Sequence, residues 1–374
     1  MPTEIDREYI EDLFPTLADM TYLNNASTGI PPRTTVDAMK QHLVNRTYAK
    51  GKFADTLKML KEVRTLLAKL LGGDYSQYGL VPNTSSGINA LAHSIKYPKG
   101  SNVVLCDLEF PANYVPWQNI SRLYGVNLRI VKSEQGAAPV DAFRAMIDEN
   151  TRVVATSQIQ FGSGYRADLE SLAASVHEVG GFLAADIIQA AGYIDTDLVK
   201  IGVDFAAGQA AKWLLGPIGA GYIYLKESLF DTVRPKFLGW WGVKDIMNFS
   251  YSVREHIPDA RMFQVGSPAI ITYVGMVESL KAIHGIPAKT RERTALDNAE
   301  YLRKRLEENG VEHYDFGPKY NSAIVSCAPP DAEKILEKLS KNRIHCSVRN
   351  GRLRVSPHFY NSQTDIDKLM EHLG

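Results

Sequence analysis

Between residues 102 and 225 the chain alternates short apolar runs with stretches of helical period, and this alternation restricts the fold more than any other feature of the sequence. The runs are NVVLCDLEF (102–110), RVVATSQIQ (152–160), GFLAADIIQ (181–189), VDFAAG (203–208) and GAGYIYL (219–225). ADLESLAASVHEVG (167–180) lies between two of them, its apolar residues three and four apart before a closing glycine. Strands apolar on both faces must be covered on both, and strand–helix–strand alternation builds a parallel sheet. The expectation is an α/β fold with a mostly parallel sheet between helices.

Residues 36–50 and 55–71 also have helical spacing, the second stopped by Gly72-Gly73. Beyond residue 255 the pattern changes. Helical stretches at 268–284 and 289–309 precede a strand near SAIVSCA (322–328), a helix at 331–342, the runs RIHCSV and GRLRVS, and a last helix from Thr364. Strands this close in sequence suggest a small α+β domain. The expected division is a large domain over 15–255 and a small one over 256–374, with residues 1–14 packing on the latter.

With 374 residues the chain exceeds one ordinary core, in keeping with two domains. Its 42 basic and 42 acidic residues cancel without forming a run of one sign, which argues against a nucleic-acid surface. Cys106, Cys327 and Cys346 have neither the number for a disulfide framework nor the spacing of a zinc site, so reduced thiols and no metal are expected. The acidic, amphipathic start is not a signal peptide, and no stretch approaches the roughly 18 apolar residues of a membrane helix. A cytoplasmic protein is expected.

Ligands of open α/β sheets sit beyond the carboxyl ends of the strands, so polar residues at those ends are the candidates. PNTSSGINALAHSI (82–95) sets Thr84, Ser85 and Ser86 before an apolar-periodic helix, a ready phosphate site or an ordinary N-cap. In DLEFPANYVPW (107–117) the strand ends in Phe110, which suits stacking on a flat heterocycle or a place in the core. In AADIIQAAG (184–192) Asp186 ends an apolar strand, with Gln189 three residues on. A carboxylate there is costly unless it meets a cation, and a pyridinium N–H would serve; a helix N-cap is the plainer alternative. GQAAKWLLGPIGAGYIYL (208–225) places Lys212 among Ala, Trp and Leu. Desolvation would lower its pKa and free the amine as a nucleophile. GRLRVSPHFYN (351–361) puts Arg352 and Arg354 on one face of a short strand, and a guanidinium grips a carboxylate with two parallel hydrogen bonds.

Together with YLNNASTGIPP (22–32) and QVGSPA (264–269), these segments resemble, in order and over nearly the whole chain, the class V aminotransferases of fold type I. That family of pyridoxal-5′-phosphate (PLP) enzymes includes cysteine desulfurases, selenocysteine lyases and isopenicillin N epimerase-like proteins. The resemblance implies that Lys212 carries PLP as a Schiff base and Asp186 pairs with the ring nitrogen. Gln189 would bond the phenolic oxygen, Thr84 and Ser85 the phosphate, and Phe110 would stack on the ring. It also places Arg354 on the substrate carboxylate with Asn25 nearby. Gly266 and Ser267 would reach the partner subunit's phosphate, which implies a homodimer.

Two departures from the pattern bear on the reaction. Where many relatives have Ser-x-His-Lys, this chain has Gln209-Ala210-Ala211-Lys212, leaving only Gln209 to help from that side; Phe161 stands where desulfurases have asparagine. Cys346 lies only eight residues before Arg354, so persulfide transfer is disfavoured. The expected activity is transamination of a small or apolar L-amino acid, with Trp240 and Trp241 also expected near the site. The alternatives are a β-elimination lyase that uses no cysteine, an epimerase, and a scaffold without catalysis.

Overall fold

In the computed structural model, which describes residues 5–373, the apolar runs form the middle of a seven-stranded sheet. A short β1 (Thr21–Tyr22) lies outside it. The sheet consists of β2 (Tyr78–Val81), β3 (Asn102–Cys106), β4 (Asn127–Val131), β5 (Thr151–Ser157), β6 (Phe182–Asp186), β7 (Phe205–Gln209) and β8 (Gly221–Leu225). Its order is β2-β8-β7-β6-β5-β3-β4, and only β8 runs against the rest.

Alternate residues feed two apolar cores. Val104, Val154, Leu183, Ala185, Ala206 and Tyr222 face one side. Val103, Leu105, Ala155, Ala184, Ala207 and Ile223 face the other, where the helices Thr84–Ala92 and Val115–Tyr124 cover them. The small residues of β6 and β7 let a helix come close. A Cβ on Gly87 would lie 2.7 Å from Ile223 and 3.1 Å from Ala207, so the helix that starts at Thr84 rests directly on the sheet. Removing a large side chain from such a core costs roughly 2–5 kcal/mol.

The C-terminal part carries a four-stranded antiparallel sheet of β9 (Glu312–His313), β10 (Val325–Ala328), β12 (Ser347–Arg349) and β13 (Arg352–Val355), in the order β12-β13-β10-β9. Between them, β11 (Ile344–His345) pairs in parallel with β1. Residues from helices Ala288–Glu308, Ala332–Lys341 and Gln363–Met370 share one apolar cluster with this sheet. The helix Ile270–His284 behaves differently from the expected division at residue 255. Its Tyr273, Met276, Val277 and Leu280 belong to the core of the large sheet. Near the amino terminus, Ile10, Leu13 and Phe14 pack on Phe359 and Tyr360 but also on Leu215 and Ile283; residues 1–4 of the expected 1–14 segment lie outside the described residues.

Candidate active site

Lys212 lies three residues beyond the end of β7, in a turn closed by a 3.0 Å bond from the Leu215 N–H to the Lys212 carbonyl. Leu215 takes a φ of 56°, a conformation that an L side chain adopts only when its surroundings enforce it. Two glycines supply part of that enforcement. A Cβ on Gly29 would fall 2.0 Å from the Lys212 carbonyl oxygen, and one on Gly192 would fall 2.1 Å from that of Trp213. The Trp213 ring donates to Gln189 at 2.8 Å, and the Trp213 carbonyl accepts from His358 at 3.0 Å. Burial pushes His358 down to about 3, so this histidine serves as a neutral strut.

The Lys212 amine stands 5.6 Å from the centroid of the Phe110 ring. Burial drives its pKa down to about 8; the charge of Asp186 works the other way, while Arg354 and Arg349 add to the lowering. Asp186 ends β6 nearly sealed from solvent, accepting a 2.9 Å bond from the Ile188 N–H. Burial pushes it up to about 7, held back by that bond, raised further by Glu109 and lowered by Lys212. No ion pair within 4 Å ties the two together. Desolvation has left an amine ready to lose its proton and a carboxylate ready to share one.

Thr84 and Ser85 open the helix Thr84–Ala92, behind an Asn83 cap that accepts from the Ser86 N–H at 2.8 Å. The Thr84 hydroxyl is buried without a partner. Asn83 backs onto Gly221, where a Cβ would meet it at 2.6 Å, and Gly221 pairs with Gln209 in the β7–β8 ladder. The helix start, an orphan hydroxyl and the end of β7 therefore meet, and free N–H groups at a helix N-terminus suit a phosphate.

The expected alternation in β13 is observed. Leu353 and Val355 are buried, and the two arginines divide the labour. Arg352 is half-buried away from Lys212, donating to the Ser326 hydroxyl at 3.2 Å, pairing with Glu312 at 2.9 Å and lying 4.1 Å from the Tyr314 ring centroid. Arg354 points inward, donating to the Phe161 carbonyl at 2.8 Å and the Ser27 hydroxyl at 2.7 Å, with its Nε unpartnered. Burial, then the charge of Arg349, works against its ionisation; a guanidinium nonetheless stays protonated at neutral pH. Phe161 also forms a wall with Phe110, edge to face at 5.0 Å.

Several expected roles change. The Asn25 side chain bonds the Ser356 carbonyl at 3.0 Å and the Tyr360 hydroxyl at 2.7 Å, so it fastens the loop rather than meeting a substrate; Ser27, two residues on, faces Arg354. Gln189 accepts from Trp213 and donates to the Ala26 carbonyl at 3.0 Å, leaving one N–H for a phenolic oxygen. Trp241 is buried near Phe53, with its N–H on Ser267, and Trp240 lines a separate hollow with Phe249 and Tyr251, so neither joins the Lys212 group in this chain. Gly266 and Ser267, expected at a partner subunit's phosphate, line a cavity of about 560 Å³ with Ser86 and Asn89. Arg349, Ser27 and Glu109 are site residues that the sequence reading did not single out. A third arginine in VRNGRLRV and the serine of NNASTG were the available signals.

An aromatic cofactor bearing a phosphate and a ring nitrogen fits this donor set. Lys212 would hold its aldehyde carbon, Asp186 its nitrogen, Thr84 and Ser85 its phosphate, and Phe110 would lie on its face. Among the described residues no group of three His, Cys, Asp or Glu is placed to hold a metal ion, and no helix is long and apolar enough to cross a membrane.

Comparison with known proteins agrees. A sequence profile described as aminotransferase class-V matches residues 21–369. A probable cysteine desulfurase of Methanothermobacter thermautotrophicus is 29% identical over 96% of this chain and 95% of its own, and an uncharacterized aminotransferase of Bacillus subtilis, YcbU, is 24% identical over 98% and 97%. The fold is also that of the cystine C–S lyase C-DES, solved with its product cysteine persulfide, with a TM-score of 0.88 at 21% identity over 96% of this chain and 98% of that one. The chain belongs to the class V aminotransferase family of PLP-dependent enzymes.

Proposed function

We propose that this chain is a PLP-dependent lyase that eliminates the β-substituent of a small, sulfur-bearing L-amino acid without using a cysteine of its own. The observation that carries the cysteine independence is the state of its thiols. Cys106, Cys327 and Cys346 are all buried and unpaired, and burial pushes the last two up to about 12 and Cys106 higher still. Thiols in that state are poor nucleophiles and cannot take up sulfur. The relatives named as desulfurases and the C–S lyase support elimination over the transamination first expected.

Bound PLP supplies an electron sink for charge developing at the substrate Cα. Arg354 grips the substrate carboxylate, and Phe110 with Phe161 forms an apolar wall for the short side chain. Arg349 adds a cation where a longer or acidic side chain would end. The Lys212 amine, unprotonated in a far larger fraction near neutral pH than an ordinary lysine, takes the proton from Cα while the bond from Cβ to sulfur breaks. Water then releases pyruvate and ammonia, so cysteine and water give pyruvate, ammonia and sulfide.

The test is incubation with L-cysteine, L-cystine and a panel of other L-amino acids, with no keto-acid acceptor. Many turnovers of pyruvate and ammonia are expected. A single stoichiometric conversion to the pyridoxamine form would establish a transaminase instead, and loss of optical rotation without either product an epimerase.

The active form is proposed to be a homodimer. Phe237 and Phe249 are 68% and 75% exposed, and Tyr251 and Val253 are almost wholly so. Phe237 borders the same cavity as Gly266 and Ser267, which makes this face the natural seat of a second copy. Sedimentation at micromolar concentration tests it; a monomer would refute it.

A further inference from the structure

Glu109 is a buried carboxylate with no cation within 4 Å among the described residues, and it is only 7% exposed. Such a group is costly unless hydrogen bonds replace its water. Here they do. It accepts from the Ser157 N–H at 2.8 Å and hydroxyl at 2.6 Å, from Gln160 at 2.6 Å, from Asn113 at 2.7 Å and from Thr156 at 3.2 Å. With the Cys106 thiol at 3.5 Å, six converging donors suit an acceptor-only carboxylate.

The donors come from places that matter. Ser157 ends β5 and Asn113 ends the loop after β3, so the carboxylate laces together two adjacent strand ends. Phe110 is the next residue after Glu109, and Phe161 the next after Gln160. Those two rings meet edge to face, and the Phe161 carbonyl seats Arg354.

We propose that Glu109 is a positioning residue, which sets the Phe110 ring above Lys212 and the Phe161 wall beneath Arg354 through one buried anchor. The proposal rests on the cofactor and not on the reaction assigned above, so either can fail without the other. Its charge also faces Asp186 and strengthens that carboxyl's hold on a proton.

The experiment reads bound PLP without turnover, as affinity and as visible circular dichroism, which senses the tilt of the ring. Glu109→Gln keeps the volume but turns an NH₂ toward the donors; affinity is expected to fall about tenfold, with the dichroism per bound PLP at least halved. Phe110→Leu is made alone and in combination. If Glu109 acts through Phe110, the double variant is no worse than Phe110→Leu. Affinity within twofold of wild type with unchanged dichroism, or effects that simply add, would overturn the proposal. If Glu109→Gln does not fold, the same cycle with Asn113→Ala decides: it removes one anchor donor and leaves the charge, and additivity with Phe110→Leu is again the refuting result.

Discussion

Arg349 and Arg354 aim their guanidinium groups at the same oxygen, the hydroxyl of Ser27, at 3.3 and 2.7 Å. Neither has a carboxylate within 4 Å among the described residues. Two like charges this close repel, and a carboxylate placed between them would relieve them, as proposed for the substrate.

Replacing Arg354 by lysine is therefore expected to raise KM about 10- to 100-fold with a smaller change in kcat, because one ammonium cannot reproduce a two-pronged grip. Arg349→Ala should weaken substrates that carry a second negative group more than those that do not. Steady-state kinetics on both substrate types checks this; an unchanged KM in Arg354→Lys would remove that residue from the site.

The rate at which the apoprotein attaches PLP should rise with pH, pass half its maximum near 8 and level off beyond it. Only the unprotonated amine attacks, and burial has lowered the Lys212 pKa, so the free form dominates above about 8 rather than only in the ordinary lysine range. Stopped-flow absorbance across pH 6 to 10 reads it. A rate still climbing at the alkaline end would mean that Lys212 is solvated.

Thr84→Val should separate stability from binding. The Thr84 hydroxyl is buried with no partner, a cost of about 1–3 kcal/mol in the apoprotein that valine of nearly equal shape avoids. The apoprotein Tm is expected to hold or rise while PLP affinity falls about tenfold. A lower Tm with unaltered affinity would make Thr84 structural.

Cys106→Ala, Cys327→Ala and Cys346→Ala should each retain kcat within about threefold. A cysteine-dependent sulfur transfer would lose orders of magnitude at one of them. Pyruvate release from L-cysteine is the measurement.

Much of the large sheet could be read in advance because β3, β5, β6, β7 and β8 are buried on both faces and so apolar through their middles. β4 escaped notice for the converse reason. It is the sheet edge, its Asn127 is exposed, and NLRIV carries an arginine in its middle. The two residues of β1 are too few for any period to register. In the site, Lys212, Asp186 and Arg354 announced themselves as charges in apolar company. Asn25 and Ser27 could not be told apart, since both are small and polar in one loop and only the fold decides which of them meets Arg354. The placement of helix Ile270–His284 was equally hidden, because it is apolar on most sides and would suit either core.

The pairing of β1 with β11 sets an order on biosynthesis. Thr21 and Tyr22 leave the ribosome more than 300 residues before Ile344 and His345, the residues they stand opposite. Until then the loop bearing Ser27 lacks its β11 anchor, and Arg354 itself has not been made. A nascent or carboxyl-truncated chain that already contains Asp186 and Lys212 would therefore lack the grip proposed for Arg354.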